Sequence, residues 1–166
     1  EIALHGGSLL LQVARDEDAA TAAPRVAAML ARERSIGMTA PPYYADFAPR
    51  VARWRDQFRA FLAAQRREGR RIAAYGAAAK GATLLNAAGI GRESIDFVVD
   101  RSTYKQGLFM PGVHLPIRPT EALLEEQPDL VVLLAWNFQE EIVSQQAEYV
   151  RRGGRFVVPI PEVALI

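Results

Sequence analysis

Tyr75-Gly76-Ala77-Ala78-Ala79-Lys80-Gly81 follows directly on the apolar run Ile72-Ala73-Ala74, and this stretch decides how the rest of the chain is read. A short apolar run that ends at one glycine and meets a second five residues later spells strand, tight turn and helix. Such a corner leaves backbone N–H groups without partners and aims them at one point, where an anion such as a phosphate can sit. The Gly-x-Ala-x-x-Gly spacing comes close to the dinucleotide fingerprint, but Ala78 stands where that fingerprint has the glycine that lets backbone and pyrophosphate approach. Lys80 falls in the first turn of the helix, where a cation is disfavoured by about 0.3–1 kcal/mol unless an anion lies beside it. Two readings follow: a phosphate cradle with Lys80 as its counter-charge, or a plain tight turn with Lys80 in water.

Downstream the pattern is regular. Strands are predicted over Ile72–Tyr75, Phe97–Asp100, Leu130–Leu134 and Arg155–Val158, with helices over Lys80–Ala88, Thr120–Glu126 and Phe138–Arg152. Between Gly107 and Pro119 the chain is rich in Gly and Pro and reads as irregular. Near-continuous apolar strands alternating with helices predict an α/β, Rossmann-like, doubly wound and mostly parallel sheet covered on both faces. Asn137, with Glu140 three residues on, can cap the last helix, and Gly153-Gly154 can end it.

Upstream, Leu9-Leu10-Leu11-Gln12-Val13 is strand-like, Asp16 to Ala23 reads as an alanine-rich linker, and Pro24 suits the start of a helix to about Ser35. A long helix is predicted from Pro41-Pro42 to about Glu68, with Phe47, Val51, Trp54, Phe58 and Leu62 on one apolar stripe. The expected organisation is residues 1–40 as strand, linker and short helix, and residues 41–166 as the long helix plus the Rossmann-like domain. Eight arginines between Arg50 and Arg71 face only Asp56 and Glu68 there, which reads as solvated surface or as a docking face for an acidic neighbour.

Composition narrows the functional classes. A formal charge of +1 argues against a general nucleic-acid binder, and no run reaches the roughly 18 to 20 apolar residues of a membrane span. There is no Cys, which fits a cytoplasmic protein and removes thiolate metal sites; two histidines are too few for a self-contained zinc site. Because the first residue is Glu1 and nothing like a signal peptide follows, the sequence reads as a piece of a longer polypeptide.

In a doubly wound sheet, ligands bind beyond the carboxyl ends of the strands. That places Gly76 to Gly81, Asp100 with the following loop, and Ala135-Trp136-Asn137 at the site. Asp100 lies 19 residues beyond Gly81, where a carboxylate can accept ribose hydroxyls or simply serve a turn. Lys105 can meet phosphate or water, and Trp136 can stack on a ring or finish the core. For Asn137 the helix cap is the favoured role. His114 reads as structural, whereas His5 beside Gly6-Gly7-Ser8 can touch a substrate but has no visible catalytic partner. A dinucleotide-binding oxidoreductase or regulatory domain using NAD or NADP is the alternative on Gly76, Gly81 and Asp100, with Ala78 against it.

Several stretches taken together carry a resemblance. They are His5-Gly6-Gly7-Ser8, Tyr75 to Gly81, Val99-Asp100-Arg101, Lys105-Gln106-Gly107, Met110-Pro111-Gly112, Leu134-Ala135-Trp136-Asn137-Phe138 and Val158-Pro159-Ile160-Pro161. In this order they resemble the C-terminal domain of S-adenosylmethionine-dependent sugar C-methyltransferases. The resemblance implies a terminal domain that helps hold a nucleotide-linked keto-deoxysugar, of deoxythymidine-diphosphate type. A zinc module and a central domain for the methyl donor, neither visible here, precede it in such enzymes. Carried across by motif, Gly76, Ala79, Lys80 and Gly81 are implied for the pyrophosphate, and Asp100, Lys105, Trp136 and Asn137 as further contacts. No catalytic residue and no metal is assigned, no cofactor is expected in this stretch alone, and the isolated domain is expected to be inactive. The implied partners are the nucleotide-sugar and the donor-binding domain of the same polypeptide, with no nucleic acid and no membrane.

Overall fold

The computed structural model describes residues 7–15 and 23–166. By contact density the chain divides into two units, residues 1–52 and residues 53–166. In the first, helix α1 spans Pro24–Ser35, as expected from Pro24 at its start. Its end is closed by the Gly37 N–H to Arg34 O and the Met38 N–H to Glu33 O, the paired bonds of a Schellman stop. A 3₁₀ turn follows over Pro41–Tyr44, and the Tyr44 hydroxyl donates to Met38 O at 2.8 Å. Leu9 to Val13, expected as a strand, forms none and is exposed. An apolar run cannot be a strand without a ladder partner, and the described residues supply none to it.

Helix α2, Phe47–Arg67, begins in the first unit and runs on into the second. It starts later than expected because the prolines and tyrosines before it take the tighter 3₁₀ form. Its apolar stripe is used unevenly: Phe58 and Leu62 are fully buried and Trp54 is half-buried, while Phe47 and Val51 are exposed. The Trp54 indole N–H donates to Pro159 O at 2.6 Å.

The second unit continues with β1 (Ile72–Tyr75), α3 (Ala79–Ala88), β2 (Val98–Val99), β3 (Ile117–Arg118), α4 (Ala122–Glu126), β4 (Leu130–Leu133), α5 (Gln139–Gln145), α6 (Ala147–Arg151), β5 (Arg155–Val158) and β6 (Ala164–Leu165). The sheet order is β3-β2-β1-β4-β5-β6, parallel throughout except that β6 runs antiparallel to β5. The register sets Ala74 beside Val98 and Val132. Successive side chains of a strand point to opposite faces, so each central strand feeds two cores. Ile72, Ala74, Val98 and Val132 join Phe58, Leu62 and Leu85 on one face. Ala73, Tyr75, Val99 and Val131 join Leu123, Ile142 and Tyr149 on the other. The expected doubly wound, mostly parallel sheet is the observed one.

Three local expectations differ. The stretch after Gly107 is not wholly irregular: Gly107 N–H to Ile117 O and Ile117 N–H to Leu108 O fold it back along β3. The predicted last helix is two helices, broken at Gln146, which has φ −101° and ψ 26°. The second ends as expected, with Gly153 N–H on Val150 O and Gly154 N–H on Tyr149 O. The short strands β3 and β6 have no signature of their own and exist because a neighbour pairs with them.

Part of the basic run works inside the fold. Arg66 clasps Asp96 with two bonds, 2.6 and 3.2 Å, fixing the end of α2 to the entry of β2. Arg71 and Arg118 converge on Glu126 at 2.6 and 3.0 Å, and the Arg71 N–H donates to Asp129. The hydrogen bonds from Arg71 and then Arg118 hold the Glu126 carboxyl below the ordinary carboxylate range.

Two outcomes test this arrangement. Phe58→Ala loses about 3–5 kcal/mol of stability in chemical denaturation, whereas Phe47→Ala changes it by about 0.5 kcal/mol or less. The contribution of Glu126 is present above the ordinary carboxylate range and is lost as pH falls through its lowered pKa; Glu126→Gln therefore flattens the acid limb of a stability-against-pH profile.

Candidate functional site

Sheet order reverses between β1 and β4, and ligands of such sheets bind beyond the carboxyl ends there. Three strand exits meet at this point: Gly76 after β1, Asp100 after β2 and Leu134-Ala135 after β4. Gly76 N–H donates to Val99 O at 2.8 Å, Asp100 N–H to Arg118 O at 3.0 Å and Leu134 N–H to Tyr75 O at 2.9 Å.

Both glycines of the corner are required by space. Gly76 has φ 101°, and a Cβ on it would stand 2.9 Å from the Ala135 Cβ. A Cβ on Gly81 would stand 2.8 Å from the Leu134 Cβ, so α3 lies against β4 with room for a hydrogen only. Ala78, where a dinucleotide fingerprint has glycine, precedes α3 without supplying a side-chain cap. The N–H groups of Ala79, Lys80 and Gly81 open α3 and have no acceptor within the helix.

The corner is less open than its sequence suggests. The Ala77 N–H donates to Asp100 Oδ2 at 2.7 Å, and the Ala78 N–H turns back to Gly76 O at 2.9 Å. Asp100 Oδ1 also accepts the Ser102 N–H at 2.8 Å, and Lys105 Nζ stands 3.4 Å from Oδ2. Asp100 is 9% exposed, and three of its roughly four acceptor positions are taken by its own chain. It acts as a latch between the glycine corner and the loop after β2, and Lys105 lies against it.

Lys80, Trp136 and Asn137 form a second group. Lys80 Nζ donates to Asn137 Oδ1 at 3.0 Å and lies 4.8 Å from the centre of the Trp136 ring. Asn137 is not the helix cap expected of it: it sits in a 3₁₀ turn, Trp136–Phe138, and α5 starts from Phe138 with no side-chain cap. The amide instead steadies the lysine across 57 residues of chain. Ala79 is the exposed first residue of α3. His114 is exposed at φ 53° in the turn of the stretch folded along β3, and its carbonyl accepts Arg92 Nε. His5 lies outside the described residues.

On the α5 side of the crevice is a cavity of about 250 Å³. Its walls include Tyr75, Asp100, Arg101, Phe138, Glu141 and Gln145, of which the sequence points to Asp100 by itself and to Arg101 as part of the loop after it. Arg101 pairs with Glu141 at 3.4 Å, and Glu141 also accepts Gln145 Nε2 at 2.7 Å. Tyr75 is 4% exposed and its hydroxyl has no hydrogen-bond partner. Burial raises its pKa, with Arg101 opposing; Gln146 lies near enough to favour the phenolate without reaching hydrogen-bond geometry. The one sequence signal for this cavity is a hydroxyl ending an otherwise apolar strand.

The family described as C-methyltransferase C-terminal domain matches residues 3–161 of this chain. Over 163 residues the chain is 40% identical to a C-methyltransferase of Streptomyces niveus, NovU, a match covering 98% of this chain and 39% of that protein. The chain thus spans about two-fifths of the length of this curated relative.

The close approach at Gly81 has a test in its sign. Alanine in place of glycine in an open helix stabilises by about 1 kcal/mol. Against Leu134, Gly81→Ala instead destabilises by about 1–3 kcal/mol in urea unfolding, and a gain in stability would refute the packing.

Proposed function

This chain belongs to the C-methyltransferase C-terminal domain family, and from that premise we propose that it is the substrate-holding part of a C-methyltransferase that acts on a nucleotide-linked keto-deoxysugar. The observation that carries the reading is Lys80. Its ammonium is held by a neutral amide and an aromatic face at the first turn of α3, beside amides with no helical acceptor. A cation at a helix start is unfavourable alone and favourable once an anion joins it. A diphosphate bound there takes up the lysine charge and the amides of Ala79 to Gly81, not those of Ala77 and Ala78.

The methyl donor, S-adenosylmethionine in this reading, does not fit the same corner. An acidic residue after the second strand would have to receive ribose hydroxyls, and Asp100 is largely committed to Ala77, Ser102 and Lys105. Donor binding and proton abstraction therefore belong to another domain of the same polypeptide, and no methyl-transfer step is assigned to these residues. What this domain contributes is position: gripping the diphosphate end fixes which ring carbon reaches the methyl group, so that binding energy collected far from the reacting atom acts on it.

Calorimetry on the polypeptide carrying the donor-binding domain tests the assignment. Lys80→Ala lowers affinity for deoxythymidine diphosphate by about 10- to 100-fold, the worth of one charge-assisted contact, with donor affinity unchanged. Unchanged diphosphate affinity rejects the role of Lys80, and submicromolar NAD or NADP binding would replace the reading with the dinucleotide one.

A further inference from the structure

Among the described residues before Arg53 none is buried, so the first unit shows no core of its own there. Its most apolar stretch is Leu9-Leu10-Leu11-Gln12-Val13, whose hydrophobic side chains are 53% to 91% exposed. Among the described residues these five make no hydrogen bond. Burying such a run requires a partner for every backbone N–H and C=O, and five residues are too few for a stable helix. The ladder of a sheet is the structure open to it.

Strand geometry sorts the side chains: Leu9, Leu11 and Val13 fall on one face, Leu10 and Gln12 on the other. One wholly apolar face and one mixed face make the pattern of a strand covered on one side, at the margin of a sheet. No charge falls between Gly7 and Ala14, and charge is a common device for keeping a strand from pairing with another chain segment. Gly7, at φ 110° with open space where a Cβ would stand, starts the run in a conformation suited to a tight turn.

We propose that residues 9–13 form a strand in the sheet of the donor-binding domain, added along an open margin of that sheet, and so tie the two parts of the polypeptide together by a backbone ladder. The matching family is described as a C-terminal domain and its match starts at residue 3, which puts the run at the border with what precedes the domain in such proteins. The match covers 39% of NovU, leaving the larger part of that relative outside it. The margins of the sheet in the second unit suit the run poorly: β3 already meets Gly107 and Leu108, and β6 has two residues for a run of five. A tethered strand also needs little intrinsic affinity, since its effective concentration at a neighbour is on the order of millimolar. The inference rests on the reading above for the presence of a donor-binding domain, and not for the diphosphate at Lys80.

Hydrogen exchange without ligand, compared between this chain and the full polypeptide, tests it. The amides of Leu10 to Val13 are expected to exchange about 100-fold or more slowly in the full polypeptide, with cross-strand contacts to residues outside 1–166. Leu11→Lys is expected to lower the melting temperature of the full polypeptide by about 4 °C or more and to leave that of this chain within about 1 °C, because the position is exposed here. Should that variant fail to fold, exchange in the parent still decides. Equal exchange in the two, an unchanged melting temperature of the full variant, protection of this chain alone that grows with its concentration, as a second copy would give, or contacts of the run to β3 or β6 each overturns the inference. Deoxythymidine diphosphate binding that ignores Lys80, with the run still protected, would count against the diphosphate reading and leave the shared strand standing.

Discussion

At the corner between β1 and α3, the positions that a Cβ of Gly76 and of Gly81 would occupy lie 2.9 and 2.8 Å from the β-carbons of Ala135 and Leu134. The strand exit and the helix start are pressed onto the end of β4 with no space for another carbon. This contact decides what else can meet. It brings the residues after β4 alongside α3, so that Trp136 and Asn137 reach Lys80, and it lines Ala135 against Gly76 at the edge of the cavity. Were the corner to stand off by the width of a methyl group, both halves of the site would separate.

Asp100 makes the same region firm in a second way. By taking the Ala77 N–H, it joins the end of β2 to the turn after β1. A phosphate placed at that amide would displace a buried carboxylate or stand beside it, at a cost in like-charge repulsion. In the proposed reading, the favourable position for an anion is therefore shifted outward along α3. The shift agrees with the composition of the loop, where Ala78 fills the place of the glycine that would admit close contact with pyrophosphate.

The long strands were legible because β1 and β4 are buried along their whole length and β5 is buried after the exposed Arg155, so each carries a nearly continuous apolar run; β1 and β5 have the bounds the sequence suggests. What escaped has a physical reason in each case. The two-residue strands β3 and β6 are too short to show a period, and their pairing is imposed by β2 and β5. Leu9 to Val13 has strand composition, but composition does not supply a neighbour. The break at Gln146 lies in a run with no Gly or Pro to announce it. For the site, the position of Lys80 at the helix start was readable, whereas its partner was not, since Asn137 arrives through the adjacency of β1 and β4.

The stretch that folds back along β3 has an effect at the scale of many molecules. A margin strand with bare amides is a template onto which a foreign chain can add, the first step toward fibrous assembly. Here Ile117 is already spoken for on that side by Gly107 and Leu108, and Met110 N–H closes on Leu115 O. The proline and glycine of Pro111-Gly112 then turn the backbone away after a single bridge between Phe109 and Pro116. At this border the protein presents a stub in place of a ladder, so crowding in concentrated solution meets no ready rung from which a shared sheet can grow.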